Sequence, residues 1–137
     1  MKKTLLIIIC CSLFSLGFSQ SDVKANYKFL KENSVLVADF LAKELKLDKK
    51  QKSMCLNAYA KYAQDLQKMQ KKMSNPQKDR ALDSKRANMV MFKFVESRDA
   101  KIKAVLSKKQ FDKYLKTLRF IDKSDLSIKK DKFDKKK

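Results

Sequence analysis

Apolar residues recur along this chain at helical rather than strand spacing. From Val23 to Leu45, the residues Tyr27, Leu30, Val37, Phe40, Leu41 and Leu45 predict a first helix with one buried side. Asn33 and Ser34 lie inside this stretch and are expected to interrupt it. A second stretch opens at Asp48 and carries Cys55, Tyr59, Tyr62, Leu66, Met69 and Met73 in strides of four, three, four, three and four. That is the seam of a helix packed on a partner. The segment from Ser74 to Asp79, with Pro76, ends it in a reversing turn. A third helix, expected to be the longest, runs from Arg80 to Leu106, and a fourth opens at Ser107 with Phe111, Tyr114, Leu115, Leu118 and Ile121. Beyond Asp122 the chain turns lysine-rich, with only Leu126, Ile128 and Phe133 to bury, so residues 123–137 are expected to form a disordered basic tail.

The third helix is patterned on two sides. At 100° per residue, Ala87, Val90, Met91, Phe94, Val95, Ile102 and Val105 cluster as a core face. Leu82, Met89 and Phe92 fall opposite, among Lys85, Arg86, Lys93 and Lys103. A face that mixes large apolar groups with positive charge suits capture of unfolded chains, the apolar groups taking hydrophobic segments and the cations drawing acidic ones. Burial in a homodimer interface, or under the first helix, explains the same pattern, and the sequence leaves both open.

Two short motifs repeat. Leu47 to Gln51 reads LDKKQ and Leu106 to Gln110 reads LSKKQ. Asp48 and Ser107 are helix-capping residues, each followed three positions later by Gln51 or Gln110, the capping-box arrangement. The second copy adds Phe111, placed to staple onto Leu106.

With its repeated motif the chain resembles the Spy/CpxP family of periplasmic proteins, marked by a duplicated LTxxQ in which each copy ends one helix and opens the next. The resemblance spans residues 40–118, with Asp48 and Ser107 standing where the family usually has Thr. It implies long helices in a hairpin-like arrangement and a cradle-shaped homodimer whose basic, partly apolar side meets clients. The function it implies is that of an ATP-independent chaperone for unfolded or acidic envelope proteins. The alternative within the family is a stress-response regulator that binds a sensor's periplasmic domain, with a sensor kinase or an anti-sigma factor as partner. Metal binding, known in some relatives, is not expected here. The chain has no His, and Cys55 is its one cysteine outside the first nineteen residues.

Those first nineteen residues read as an export leader. Lys2 and Lys3 precede an apolar run from Leu5 to Leu16, and Gly17 with Ser19 forms a small-residue cleavage signal before Gln20. A periplasmic location and one domain over residues 20–122 are therefore expected. The only glycine is Gly17 and the only proline Pro76, which leaves almost none of the turn residues a β-sheet requires and favours an all-α fold. Cys55, with no partner for a disulfide, is expected to act as a small buried hydrophobe. The formal net charge of +19 favours acidic partners. It also raises nucleic-acid binding, against which the leader and the apolar members of the mixed face argue. With no His, no glycine-rich phosphate loop and no paired carboxylates, neither enzyme activity, a cofactor nor a small-molecule substrate is expected.

Overall fold

The structure, a computed structural model, describes residues 18–73 and 84–129. Helix α1 spans Phe18–Leu45, α2 Lys49–Met73, α3 Ser84–Val105 and α4 Lys108–Thr117, followed by a 3-10 turn at Leu118–Phe120. Among the described residues the fold is all-α, and its extended pairing is an isolated antiparallel bridge between Ile121 and Ile128. Of the expected leader only Phe18 and Ser19 are described, as the first residues of α1. The turn around Pro76, Leu82 and the chain beyond residue 129 lie outside the described residues. No helix among them is long and apolar enough to cross a membrane.

Helix α2 lies between α1 and α3 and packs along both, while α4 rests on α1 and touches α3. This position explains its broad buried side. Cys55, Tyr59, Tyr62, Leu66 and Met69 are all buried as the seam predicts, and Ala58 and Ala63 widen it toward the second neighbour. Met73, the last seam residue, is exposed. Burial pushes the Cys55 thiol up to about 11, so it stays protonated and apolar at neutral pH.

Asn33 and Ser34 do not interrupt α1. Both are buried within a stripe that runs through Leu30, Val37, Leu41 and Leu45. The helix tolerates them because each polar group has a partner. Ser34 Oγ donates to the Lys31 carbonyl at 2.7 Å, and Asn33 Nδ2 donates to the Asp125 carbonyl at 2.7 Å. Among the described residues α3 is shorter than α1, with 22 residues against 28.

At the end of α1 the Leu47 N–H reaches back to the Ala42 carbonyl at 3.0 Å, with Lys46 in the left-handed region at φ 53°. This is the Schellman closure, formed with lysine at the position where glycine is usual. It turns the chain straight into the cap of α2.

The expected tail does not begin at residue 123. After the 3-10 turn the chain folds back on the body, and Leu126 is fully buried in the core. Composition alone undervalues this segment, because a local turn concentrates its few apolar groups. Asp122 accepts from Ser124 N at 2.9 Å and Ser124 Oγ at 2.6 Å, and Leu126 adopts φ 60°. The Asp122 N–H then bonds the Ser127 carbonyl, and the Lys129 N–H the Phe120 carbonyl. Tyr62 Oη, donating to the Lys123 carbonyl at 2.7 Å, ties the loop to α2 as Asn33 ties it to α1.

Candidate functional site

Helix α3 turns one side to the core. Ala87 and Ile102 are buried, and Val90, Met91, Phe94 and Val95 are half-buried against the core cluster. Lys85, Met89, Phe92 and Glu96 follow one another by four, three and four residues and so share the opposite stripe. There Met89 is 60% and Phe92 63% exposed, more than any other large apolar residue described. With Asn88 and Lys93 these four residues line a shallow, open depression of about 540 Å³.

The structure assembles part of the sequence-derived site. Lys85, Met89, Phe92 and Lys93 come together; Arg86 is exposed on the same helix but does not line the depression, and Leu82 lies outside the described residues. Lys103 belongs elsewhere. Its Nζ stands 5.8 Å from the centre of the Phe111 ring, turned toward α4, because it sits three turns further along α3. Glu96, which the sequence reading passed over, adds one negative charge to the rim. Phe29 and Leu36, also passed over, are about half exposed on α1. Their spacing of seven residues is the signal that marks them as one stripe.

The two repeated motifs form one joint. Asp48 Oδ1 accepts from the Gln51 N–H at 2.7 Å while the Asp48 N–H donates to Gln51 Oε1 at 3.2 Å. Ser107 and Gln110 repeat the reciprocal pair at 3.2 and 3.0 Å, so both predicted capping boxes are present. Leu47, Leu106 and Phe111 pack half-buried against the core beside them. Each glutamine also crosses to the other motif. Gln51 Nε2 donates to the Val105 carbonyl at 3.1 Å, and Gln110 Nε2 to the Leu45 carbonyl at 3.4 Å. Each box thus starts its own helix and satisfies an orphan carbonyl at the end of another.

A buried polar cluster lies between α2, α3 and α4. The Arg98 guanidinium sits over the Tyr59 ring at 4.9 Å and the Tyr62 ring at 4.8 Å, with its side chain only 2% exposed. Its Nε and Nη2 both donate to Asp99 Oδ1, at 2.9 and 2.8 Å. The same oxygen accepts from Tyr114 Oη at 2.7 Å, and the Tyr59 and Tyr114 hydroxyls are 3.1 Å apart. Burial pushes Tyr59 and Tyr62 up to about 12, and Tyr114 further, despite the neighbouring cation. All three remain neutral donors at physiological pH. Arg98 was readable as a charge four residues from both Phe94 and Ile102 on the core stripe, with tyrosines on the facing seam.

No curated protein and no solved structure matches the chain. The family comparison is positive: a model described as a domain of unknown function, DUF4890, matches residues 21–114. Those residues take in α1 almost entirely, α2, α3, both capping boxes and the Arg98 cluster. The chain therefore belongs to the DUF4890 family.

Proposed function

We propose that this protein is an exported, ATP-independent chaperone-like protein of the Spy/CpxP type, which holds unfolded or aggregation-prone envelope proteins on the outer face of α3. The observation that carries this reading is the exposure of Met89 and Phe92, 60% and 63%, between Lys85 and Lys93. Large apolar side chains kept in water cost solubility, and a protein that retains two of them side by side among cations presents a patch suited to apolar segments with acidic flanks. The depression is shallow and open rather than a closed pocket, which fits extended chains of varied sequence better than one small molecule. A hairpin-like pairing of α1 with α2 and a cradle made of two copies belong to the same proposal. The crossed capping boxes support the resemblance on which it draws.

The test is suppression of aggregation of a denatured model protein by the parent and by a Met89→Ser, Phe92→Ser double variant. Loss of protection with an unchanged melting temperature is the expected result. Equal protection by the double variant refutes the assignment of this face, and a fall in melting temperature assigns both residues to packing instead.

A further inference from the structure

The Gln51–Gln110 joint gathers charge as well as helix ends. Each glutamine is preceded by two lysines, Lys49 and Lys50 in one motif and Lys108 and Lys109 in the other, and all four are exposed. Because the glutamine side chains bond one another, both lysine pairs stand at the same end of the molecule. Residues 43–52 and 101–116, which make up this end, hold five and six lysines against three acidic residues. None of the four motif lysines forms an ion pair with a described residue. Helix dipoles do not add to the field, since the ends of α1 and α3 meet the starts of α2 and α4 there. The positive potential is that of the lysines. Like charges assembled in excess of their counter-charges repel, and an external polyanion relieves that repulsion.

We propose that this end of the molecule docks on a surface of anionic lipid headgroups, with the lysine pairs 49–50 and 108–109 as its principal contacts. The composition of the patch selects lipid over nucleic acid. The two segments contain no arginine, the residue suited to bidentate recognition of nucleic-acid phosphate and base edges. Their one aromatic in reach of a base, Phe111, is half-buried and has Lys103 over its ring, so no stacking platform is offered. Leu115, 48% exposed on the same short helix as Lys108 and Lys109, supplies an apolar foot at headgroup depth. Lysine clusters of this size are attracted to acidic bilayers without a shaped pocket, and α4 offers only an open depression lined by Lys108, Lys109, Asp112, Lys113 and Lys116. This surface is separate from the α3 face and does not depend on its function.

The experiment is co-sedimentation of the purified protein with phosphatidylcholine vesicles, with and without phosphatidylglycerol, at low and at physiological salt. The parent is expected to bind only the anionic vesicles, and less in higher salt. A variant with Lys49, Lys50, Lys108 and Lys109 changed to Gln is expected to bind about a thousandfold more weakly, and the same four changed to Arg to bind like the parent. A second variant with Lys28, Lys31, Lys68 and Lys72 changed to Gln loses equal charge further along α1 and α2, about 20–35 Å away along the helices, and is expected to bind like the parent. Melting temperatures report that each variant is folded. Equal losses in both Gln variants overturn the proposal, because binding then follows net charge alone. So does absence of parental binding to anionic vesicles, or binding to a DNA duplex that depends on the four lysines while vesicle binding does not.

Discussion

Gln51 and Gln110, 59 residues apart in sequence, face each other as a reciprocal amide pair, with Gln51 Nε2 2.9 Å from Gln110 Oε1 and Gln110 Nε2 3.3 Å from Gln51 Oε1. Each amide serves its own cap, its counterpart and a helix-end carbonyl at once. Changing either to Ala is expected to cost about 1–3 kcal/mol, since several part-buried bonds are lost together. The double variant should cost less than the sum, by about 1 kcal/mol, in a denaturant-melt cycle. Strict additivity of the two single changes would show that the boxes act separately.

Arg98 is held by contacts that no shorter or aliphatic cation reproduces. Arg98→Ala leaves the Asp99 carboxylate and two tyrosine faces without their partner, and is expected to destabilise by about 3–5 kcal/mol. Arg98→Lys should recover only part of this, because a compact ammonium cannot stack on both rings while giving two bonds to Asp99. Thermal melts of the two variants measure it; a Lys variant as stable as the parent would reduce the cluster to simple charge pairing.

Residues 123–129 are expected to be part of the stable body. Leu126→Ala should cost about 2–5 kcal/mol as a core truncation. Deleting residues 123–137 should lower the melting temperature at least as far. Deletion of 130–137 alone is the control, and a melting temperature that falls equally there would locate the effect beyond the loop.

Alkaline pH is expected to weaken the fold through the tyrosines. Tyr59 and Tyr62 are held at about 12 and Tyr114 higher, all by burial, whereas in the unfolded chain they ionise near 10. Their folded pKa values lie above the unfolded ones, so this stabilisation is complete below about pH 10 and is lost as pH rises toward 12. Tyr62→Phe, which removes one such group, should show a shallower decline of stability over that window. Identical slopes for variant and parent would show that ionisation of Tyr62 does not contribute to the decline.

Much of the fold was legible because α-helix periodicity and capping chemistry are local. The seam from Cys55 to Met69 and both boxes follow from spacing alone. What the sequence could not show are the distant partners that make unusual residues acceptable. Asn33 reads as a helix breaker until the Asp125 carbonyl, 92 residues away, is there to take its amide proton. Leu126 reads as a stray apolar residue in a lysine-rich tail until the Asp122 turn aims it at the core. The α3 face was legible in Lys85, Met89, Phe92 and Lys93, which share one short stretch of helix. Lys103 was misplaced because a helical wheel projects away distance along the axis, and it is that distance which brings it to Phe111.

The Asn33–Asp125 bond also sets an order of events. A chain that leaves the ribosome amino end first completes α1 long before Asp125 and Leu126 exist. Until then Asn33 has no carbonyl and the Tyr62 hydroxyl no acceptor from this loop, and the core lacks the side chain that closes it. Synthesis must therefore run 92 residues past Asn33 to Asp125, and on to Leu126, before the native packing can lock, and until then a nascent molecule of this protein stays open.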